Sequence, residues 1–143
     1  MPNLELPIKV EGILFCRFNN TYQFLLLKRM PEDGGFWQPL TGTLEFDESL
    51  HDCLLRELTE EIGISEPTVI TEEVYRFSWV KEDYTIVELV YGVELPYDAP
   101  IILSHEHDAY TWVSYEEAMA SLAKDNNKRA FQEFKQKFMG RED

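Results

Sequence analysis

The sequence predicts an α/β domain in which helices pack against a mixed β-sheet. Two observations lead to this fold class, and a third indicates the number of domains. Strand-like apolar runs occupy much of the chain, and segments with helical periodicity are interspersed among them. The length of 143 residues suits one buried core, and the chain has no internal repeat, low-complexity tract or linker-like stretch. We therefore expect residues 1–143 to form a single domain.

The first part of the chain reads as a β-hairpin followed by a loop and short extended segments. Residues 8–18 and 22–30 have the composition of strands, and Asn19, Asn20 and Thr21 form a hairpin-like turn between them. Residues 31–35 contain a proline and two glycines, so they are predicted to form a loop. Residues 36–40 and a short strand near residues 43–45 then lead into a helix.

Helical periodicity marks about residues 49–62, with Gly63 as the C-terminal cap and either Asp47 or Ser49 as the N-terminal cap. Strand-like runs return between residues 68 and 95, with a turn at residues 81–83, and again at residues 109–113. Two helices are predicted at the end, over residues 115–124 and 128–138. The apolar stripe of the second helix consists of Ala130, Phe131, Phe134 and Phe138.

The composition restricts the kind of partner. With 13 basic and 27 acidic residues, the formal net charge is −14, which argues against a nucleic acid polymer. A small phosphate ligand is still compatible if a divalent cation lies between the two negative charges. Cys16 and Cys53 lie in apolar stretches and supply neither a disulfide framework nor a four-ligand zinc site.

The hydropathy pattern gives no sign of a membrane partner. No apolar run reaches the roughly 18–20 residues that cross a bilayer, and residues 1–7 lack the layout of a secretion signal. We therefore expect a cytoplasmic location. The sequence leaves the oligomeric state open, with a homodimer as one alternative.

The predicted helix over residues 49–62 has an acidic flank beside its apolar one. On a helical wheel, the flank that faces the core consists of Leu50, Leu54, Leu58 and Ile62. Glu57, Glu60 and Glu61 share the adjacent flank, at spacings where side chains meet. Because like charges at these spacings destabilise a helix by roughly a few tenths of a kcal/mol, the cluster needs an explanation. A bound hard cation such as magnesium is one, and a solvated acidic surface is the other.

The segment over residues 42–64 resembles the signature of the Nudix hydrolase family. It matches every fixed position, in the order Gly42-x5-Glu48-x7-Arg56-Glu57-Leu58-x-Glu60-Glu61-x-Gly63-Ile64. The resemblance implies a Nudix-type α/β/α sandwich with a mixed β-sheet and a loop–helix–loop catalytic motif. It also implies hydrolysis of a nucleoside diphosphate linked to another group, with Mg²⁺ as cofactor and Mn²⁺ as an alternative.

Position in the signature implies a role for each charged residue. Glu57, Glu60 and Glu61 would be metal ligands. Arg56 and Glu48 would form a supporting ion pair next to them, and we assign both to the catalytic machinery. Hydrolysis also needs a carboxylate that accepts the proton of the attacking water, and Glu57 is one candidate for this base.

Segments outside the signature resemble two subgroups of the family. Residues 36–42 and 106–112 resemble dihydroneopterin triphosphate pyrophosphatases and dATP pyrophosphohydrolases, whereas residues 103–112 also resemble asymmetric diadenosine tetraphosphate hydrolases. In both subgroups a loop glutamate, here Glu106, reaches the metal. The resemblance therefore makes Glu106 a fourth metal ligand and the second candidate for the catalytic base.

Four residues are predicted to bind substrate: Arg29, Trp37, Thr41 and Tyr110. Trp37, Thr41 and Tyr110 lie within the resembling motifs, and Arg29 ends the strand that leads into the active-site loop. Other aromatic candidates for a ring-binding face, with core packing as the alternative, are Tyr75, Phe77 and Trp79. The chain departs from many relatives at Thr41 and Asp47, where they carry glycine. Thr41 fits the first subgroup, and the extra carboxylate of Asp47 could alter the metal geometry.

Three functions are compatible with these residues. The favoured one is release of pyrophosphate from a nucleoside triphosphate or dihydroneopterin triphosphate, which leaves the monophosphate. The alternative is asymmetric cleavage of diadenosine tetraphosphate to ATP and AMP. A non-catalytic nucleotide-binding module is disfavoured because Glu57, Glu60 and Glu61 are all present. In each case the expected partner is a small nucleotide-like polyphosphate.

Overall fold

A mixed sheet of seven strands is the frame of the computed structural model, which describes residues 5–140. The strands are β1 (Glu5–Phe18), β2 (Thr21–Arg29), β3 (Trp37–Gln38), β4 (Leu40–Glu45), β5 (Val69–Lys81), β6 (Tyr84–Glu94) and β7 (His107–Val113). The helices are α1 (Leu50–Ile62), α2 (Tyr115–Ser121) and α3 (Asp125–Phe134), with a 3-10 turn at Pro31–Asp33 and a π-helical turn at Lys135–Met139. The predicted domain over residues 1–143 includes residues 1–4 and 141–143, which lie outside the described range.

Strand β1 is the centre of the sheet. The strand order is β3-β2-β1-β6-β5, with β4 also paired to β1 and β7 to β2. Because β1 has 14 residues, its first part pairs with β4 and its last part with β2, both antiparallel. The opposite edge of β1 pairs with β6 in parallel. The sheet is therefore mixed, as predicted. Along one edge of β1 the pairing partner changes from β4 to β2, so the sheet splits at that point.

Helices cover both faces of this sheet. Val10 and Leu14 of β1 face α1 and form one core with its apolar flank. Ile13 and Phe15, which alternate with them, pack in a second core with α2 and α3. The alternation of side chains along a strand thus supplies both cores from β1. The arrangement is the predicted sandwich of helices on a mixed sheet.

The last helix differs from the sequence prediction. It begins at Asp125 rather than at residue 128, and α2 ends at Ser121. Phe131 and Phe134 are buried as expected, but Phe138 is 37% exposed. The reason is the π-helical turn that follows Phe134. Because a π turn holds more residues than an α turn, the position four residues on rotates away from the buried stripe.

Smaller differences concern element boundaries. Asn19 and Asn20 both have positive φ, 53° and 64°, which suits a two-residue hairpin turn, so Thr21 already belongs to β2. Strand β4 begins three residues before the predicted segment and β7 two residues before, because pairing with β1 and β2 extends them. No helix within residues 5–140 has both the length and the apolar character needed to span a membrane.

Candidate active site

Helix α1 positions the predicted acidic flank. It begins after Ser49, whose Oγ accepts a backbone N–H of the first turn at 3.0 Å, and it ends at Gly63, which has a φ of 75°. Of the two predicted caps, Ser49 is therefore the one used. The carboxylates of Glu57 and Glu61 are buried beside the apolar flank, while the side chain of Glu60 is 54% exposed. Two of the three glutamates thus point into the protein rather than into solvent.

Arg56 donates hydrogen bonds to three carboxylates, those of Glu48, Glu57 and Glu60. Its guanidinium donates two hydrogen bonds to Glu48, from Nε at 2.7 Å and from Nη2 at 3.1 Å. Nη1 donates to Glu57 at 3.1 Å and to Glu60 at 3.2 Å, and Nη2 also reaches the Thr43 carbonyl at 3.0 Å. The hydrogen bonds from Arg56 lower the pKa of Glu48. The paired Arg56 and Glu48 predicted from the signature are thus in contact, with the two-pronged geometry that guanidinium and carboxylate favour.

Gly42 makes room for Glu57. A Cβ added at Gly42 would overlap the side chain of Glu57, which lies directly against β4. Burial raises the pKa of Glu57 to about 7, although the adjacent Arg56 guanidinium opposes this rise. The carboxylate is therefore confined between helix and strand at a position where a positively charged partner is favourable.

Glu61 is joined to the loop before β7. The Ser104 hydroxyl donates to its Oε1 at 2.7 Å, and His107 Nδ1 lies 3.0 Å from the same oxygen. Nδ1 of His107 is poorly aligned for a hydrogen bond to this oxygen. His107, and to a smaller extent Ser104, lower the pKa of Glu61. The Glu106 backbone N–H donates to Ser104 Oγ at 3.2 Å, which ties the exposed Glu106 to the same cluster.

These groups open into a cleft of about 380 Å³, which we call the acidic cleft. Its lining consists of Lys9, Arg29, Gln38, Thr41, Gly42, Thr43, Glu45, Arg56, Glu57, Glu60, Glu61, Glu106 and His107. It adjoins a second cleft of about 510 Å³, which we call the aromatic cleft. That lining consists of Lys9, Arg29, Gln38, Thr41, Phe77, Trp79, Lys81, Glu88, Lys124, Asp125, Asn126 and Asn127. The first four residues belong to both clefts, which are therefore contiguous.

The donor set of the acidic cleft fits a hard divalent cation. Its carboxylate oxygens are the ligands that magnesium prefers. Within residues 5–140, no three His, Cys, Asp or Glu side chains converge closely enough to hold an ion as they stand. Arg56 Nη1 lies 3.1 Å from a carboxylate oxygen of Glu57 and 3.2 Å from one of Glu60. A cation bound there would add a second positive partner for these two carboxylates.

The fold brings most of the predicted site residues together. Those in the lining of the acidic cleft are Arg29, Thr41, Arg56, Glu57, Glu60, Glu61 and Glu106. Glu48 lies behind Arg56 and holds it in place. Asp47 is exposed and adopts a φ of 71°, a left-handed conformation that glycine adopts at little cost. Its carboxylate lies outside the lining of the acidic cleft.

Trp37 and Tyr110, predicted to bind substrate, lie outside both clefts among the described residues. Trp37 alternates with Gln38 in β3, so Gln38 reaches the clefts while Trp37 packs against the core under α2 and α3. Tyr110 is 43% exposed on β7, where it pairs with Leu27 of β2. Membership in a motif did not decide which face of a strand each aromatic ring occupies.

The structure adds cleft residues that the sequence did not single out. Lys9 lines both clefts, and its Nζ donates to Thr43 Oγ1 at 3.1 Å. Gln38 also lines both clefts, and its Nε2 lies 3.4 Å from His107 Nε2. Glu88 contributes a buried carboxylate to the aromatic cleft. The available signal for Glu88 was a charged residue inside the otherwise apolar run of β6.

Several known proteins and one family model are similar to this chain. A model of the NUDIX domain matches residues 9–134. Dihydroneopterin triphosphate diphosphatase of Escherichia coli (strain K12) is 28% identical over 141 residues, which cover 90% of this chain and 91% of that protein. The asymmetrical bis(5'-nucleosyl)-tetraphosphatase of Rattus norvegicus is 34% identical over 120 residues, which cover 80% of each protein.

The similarity also extends to a longer protein and to a solved structure. An octanoyltransferase of Myxococcus xanthus is 41% identical over 102 residues, which cover 68% of this chain; the chain spans only 28% of that protein. The crystal structure of a NUDIX hydrolase from Listeria monocytogenes has a TM-score of 0.77 and 28% sequence identity. That match covers 90% of this chain and 92% of the other, so nearly the whole fold is similar.

Proposed function

This chain belongs to the NUDIX family, and we propose that it hydrolyses a phosphoric anhydride bond in a nucleoside triphosphate or dihydroneopterin triphosphate, releasing pyrophosphate and the monophosphate. The observation that carries the proposal is the acidic cleft. Buried Glu57 and Glu61 meet Arg56, Glu60 and Glu106 there, beside a second cleft large enough for a ring. The similarity to a dihydroneopterin triphosphate diphosphatase supports this substrate class.

Magnesium is the cofactor we propose for this cleft, with manganese as an alternative. Glu57, Glu60, Glu61 and Glu106 would hold it. When bound, such a cation offsets the charge of a polyphosphate and makes a water molecule more acidic. In a protein with a net charge of −14, the cation also removes the repulsion that an anionic substrate would otherwise meet.

The protein's own residues complete the reaction. Arg29 and Lys9 line the acidic cleft and can bind phosphate oxygens as charge moves onto the leaving group. Arg56, held by Glu48, fixes the positions of the Glu57 and Glu60 carboxylates. A carboxylate then accepts the proton of the attacking water, and Glu57 and Glu106 are the two candidates.

The proposed function is tested with purified protein, magnesium and a panel of triphosphates, by measuring release of pyrophosphate and monophosphate. We expect Glu57→Gln and Glu60→Gln to lower kcat by about 100-fold or more, since each loses a charged oxygen from the cleft. Glu116→Gln, which changes an exposed carboxylate on α2, should leave kcat unchanged. Full activity in Glu57→Gln would contradict the proposal and favour a non-catalytic module, because the measured hydrolysis would then come from a contaminating enzyme.

The two candidate bases differ in how magnesium affects their variants. A variant that has lost a metal ligand recovers activity when the magnesium concentration is raised, because higher concentration compensates for weaker binding. A variant that has lost the base does not recover. Comparing Glu57→Gln with Glu106→Gln across a magnesium titration therefore identifies the base as the residue whose variant stays inactive.

Asymmetric cleavage of diadenosine tetraphosphate is a second candidate function. The observation in its favour is the 34% identity to the Rattus norvegicus tetraphosphatase, a higher identity than that to the Escherichia coli diphosphatase. Chromatography of the products separates the two reactions. ATP and AMP formed from diadenosine tetraphosphate, without pyrophosphate release from triphosphates, would favour this second function.

A further inference from the structure

We propose that the aromatic cleft binds the heterocyclic ring of the substrate, and that the Glu88 carboxylate selects a ring edge with adjacent ring N–H and exocyclic amino donors, as guanine and pterins carry. The inference rests on the proposed function, because it takes the phosphates to lie in the acidic cleft. It adds a ring-binding site and a specificity-determining residue to that function.

The position and size of the aromatic cleft suit a ring. Its volume of about 510 Å³ lies in the range of small-molecule pockets. It is contiguous with the acidic cleft, so one substrate can extend from one to the other. Phe77 and Trp79, two residues apart in β5, both contribute their side chains to the lining. Aromatic faces bind flat heterocycles of any identity, so the cleft needs a polar group to distinguish among them.

Glu88 supplies that polar group. The residue is 5% exposed, and its Oε1 accepts a hydrogen bond from Trp79 Nε1 at 2.9 Å. A carboxylate can accept about four hydrogen bonds, so the indole leaves most of its capacity unused. A nearly buried carboxylate in this state is unfavourable until further N–H donors reach it. A ligand ring in the cleft can provide these donors.

Glu11 lies beside Glu88. Its side chain is fully buried, and neither carboxylate oxygen has a hydrogen-bond partner if both groups are ionised. Burial, and then the neighbouring Glu88, raise the pKa of Glu11 well above its usual value. A protonated Glu11 can donate its O–H to Glu88, which gives Glu11 a partner and fixes the Glu88 carboxylate while leaving acceptor capacity on Glu88 for a ligand. Glu11 is therefore a positioning residue for Glu88.

The chemistry of a carboxylate defines the ring edge that it accepts. It has acceptors only, and its two oxygens match two parallel N–H donors. Guanine and pterins present a ring N–H beside an amino group. Adenine presents an amino group beside a ring nitrogen lone pair, which would face a carboxylate oxygen and repel it. Hypoxanthine keeps the ring N–H but lacks the amino group, so it measures the contribution of that one donor.

The experiment is calorimetric titration of the full chain, with magnesium present, with GMP, IMP and AMP. We expect GMP to bind about 10-fold or more tightly than IMP, the effect of one hydrogen bond to a charged group, and to bind more tightly than AMP. In Glu88→Gln the preference for GMP over IMP should disappear. Glu116→Gln, which changes an exposed carboxylate on α2 outside the lining of both clefts, should keep it.

Several results would overturn the inference. These are the absence of GMP binding, wild-type affinities for IMP or AMP equal to that for GMP, and a Glu88→Gln variant that still prefers GMP. None of them affects the proposed function. That function fails separately, if no triphosphate or diadenosine tetraphosphate releases products or if Glu57→Gln stays fully active.

Variants of Glu11 provide a second test that does not alter Glu88 itself. In Glu11→Gln, the amide can still donate to Glu88, so we expect the preference for GMP over IMP to remain. Glu11→Leu removes the donor and frees the Glu88 side chain, so the preference for GMP over IMP should fall. Thermal unfolding of this variant checks that its fold is kept. Equal preferences in Glu11→Leu and wild type would show that Glu11 does not position Glu88.

Discussion

Individual residues explain how this protein tolerates buried carboxylates. Glu57 and Glu61 are buried within one turn of each other, an arrangement that costs free energy unless each has partners. Arg56 donates to Glu57, and Ser104 donates to Glu61. Gly42 provides the space in which the Glu57 side chain lies. The site therefore depends on the lack of a side chain at Gly42 as well as on the charged side chains.

Gly42→Ala tests this dependence. The added Cβ would overlap Glu57, so the carboxylate must move, and we expect kcat to fall by about 100-fold, as for a displacement of roughly 1 Å in a catalytic group. Gly12→Ala in β1 is the matched control, because its Cβ would meet Leu40 and Val93 at 3.4 Å, an ordinary contact. Steady-state kinetics of both variants check the prediction. Equal activity in the two variants would show that Gly42 is not required for the position of Glu57.

At the scale of elements, helix α1 links the core to the site. Its apolar flank anchors it to the sheet, and its caps define where the acidic flank begins and ends. The Ser49 hydroxyl satisfies a backbone N–H that would otherwise lack a partner in the first turn. Ile62 and Glu61 carbonyls accept hydrogen bonds from the backbone of Ile102 and Ser104, so the end of the helix positions the loop that carries Glu106.

Ser49→Ala is expected to destabilise the protein by about 1 kcal/mol, the usual effect of losing an N-terminal cap. For a domain of this size the loss corresponds to a decrease in Tm of roughly 2–4 °C. Ser65→Ala, at an exposed position beyond the same helix, serves as the control and should leave Tm unchanged. Thermal unfolding followed by circular dichroism measures both. A Tm of Ser49→Ala equal to that of wild type would contradict a stabilising cap.

For the whole molecule, the uneven charge is the main physical constraint. A net charge of −14 and a cluster of carboxylates at one cleft imply that a bound cation stabilises the folded state. The split of the sheet beside β1 brings residues of β1, β2, β3 and β4 to that cleft. The stability of the fold and the occupancy of the site should therefore be coupled.

We expect magnesium to raise the Tm of the wild type. At a free concentration of about 100 times Kd, binding adds roughly 2.7 kcal/mol to the free energy of unfolding, which corresponds to an increase of roughly 5–10 °C. Glu57→Gln should show a smaller increase because it loses a ligand, whereas Glu116→Gln should respond like wild type. Thermal scans at increasing magnesium concentration test this. Identical increases in all three proteins would place the ion elsewhere on the surface.

Most of the fold was predictable from local patterns. The turn at Asn19 and Asn20, the helix ended by Gly63 and the apolar flank of α1 all depend on short-range chemistry. Local patterns failed at Phe138, because a π-helical turn changed the period that the prediction assumed. Boundaries of β4 and β7 also differed, since pairing with distant strands extends them.

The acidic flank of α1 was determined by the sequence alone, because helical geometry sets which side chains share a face over one or two turns. The family signature that it resembles includes Arg56, Glu48 and the three glutamates, and it is defined by spacing along the chain alone. What only the tertiary structure decided is which distant groups meet them. Trp37 and Tyr110 lie outside the clefts, whereas Glu88 lines the aromatic cleft and lies beside Glu11. Strand pairing sets those neighbours, and no spacing along the chain encodes it.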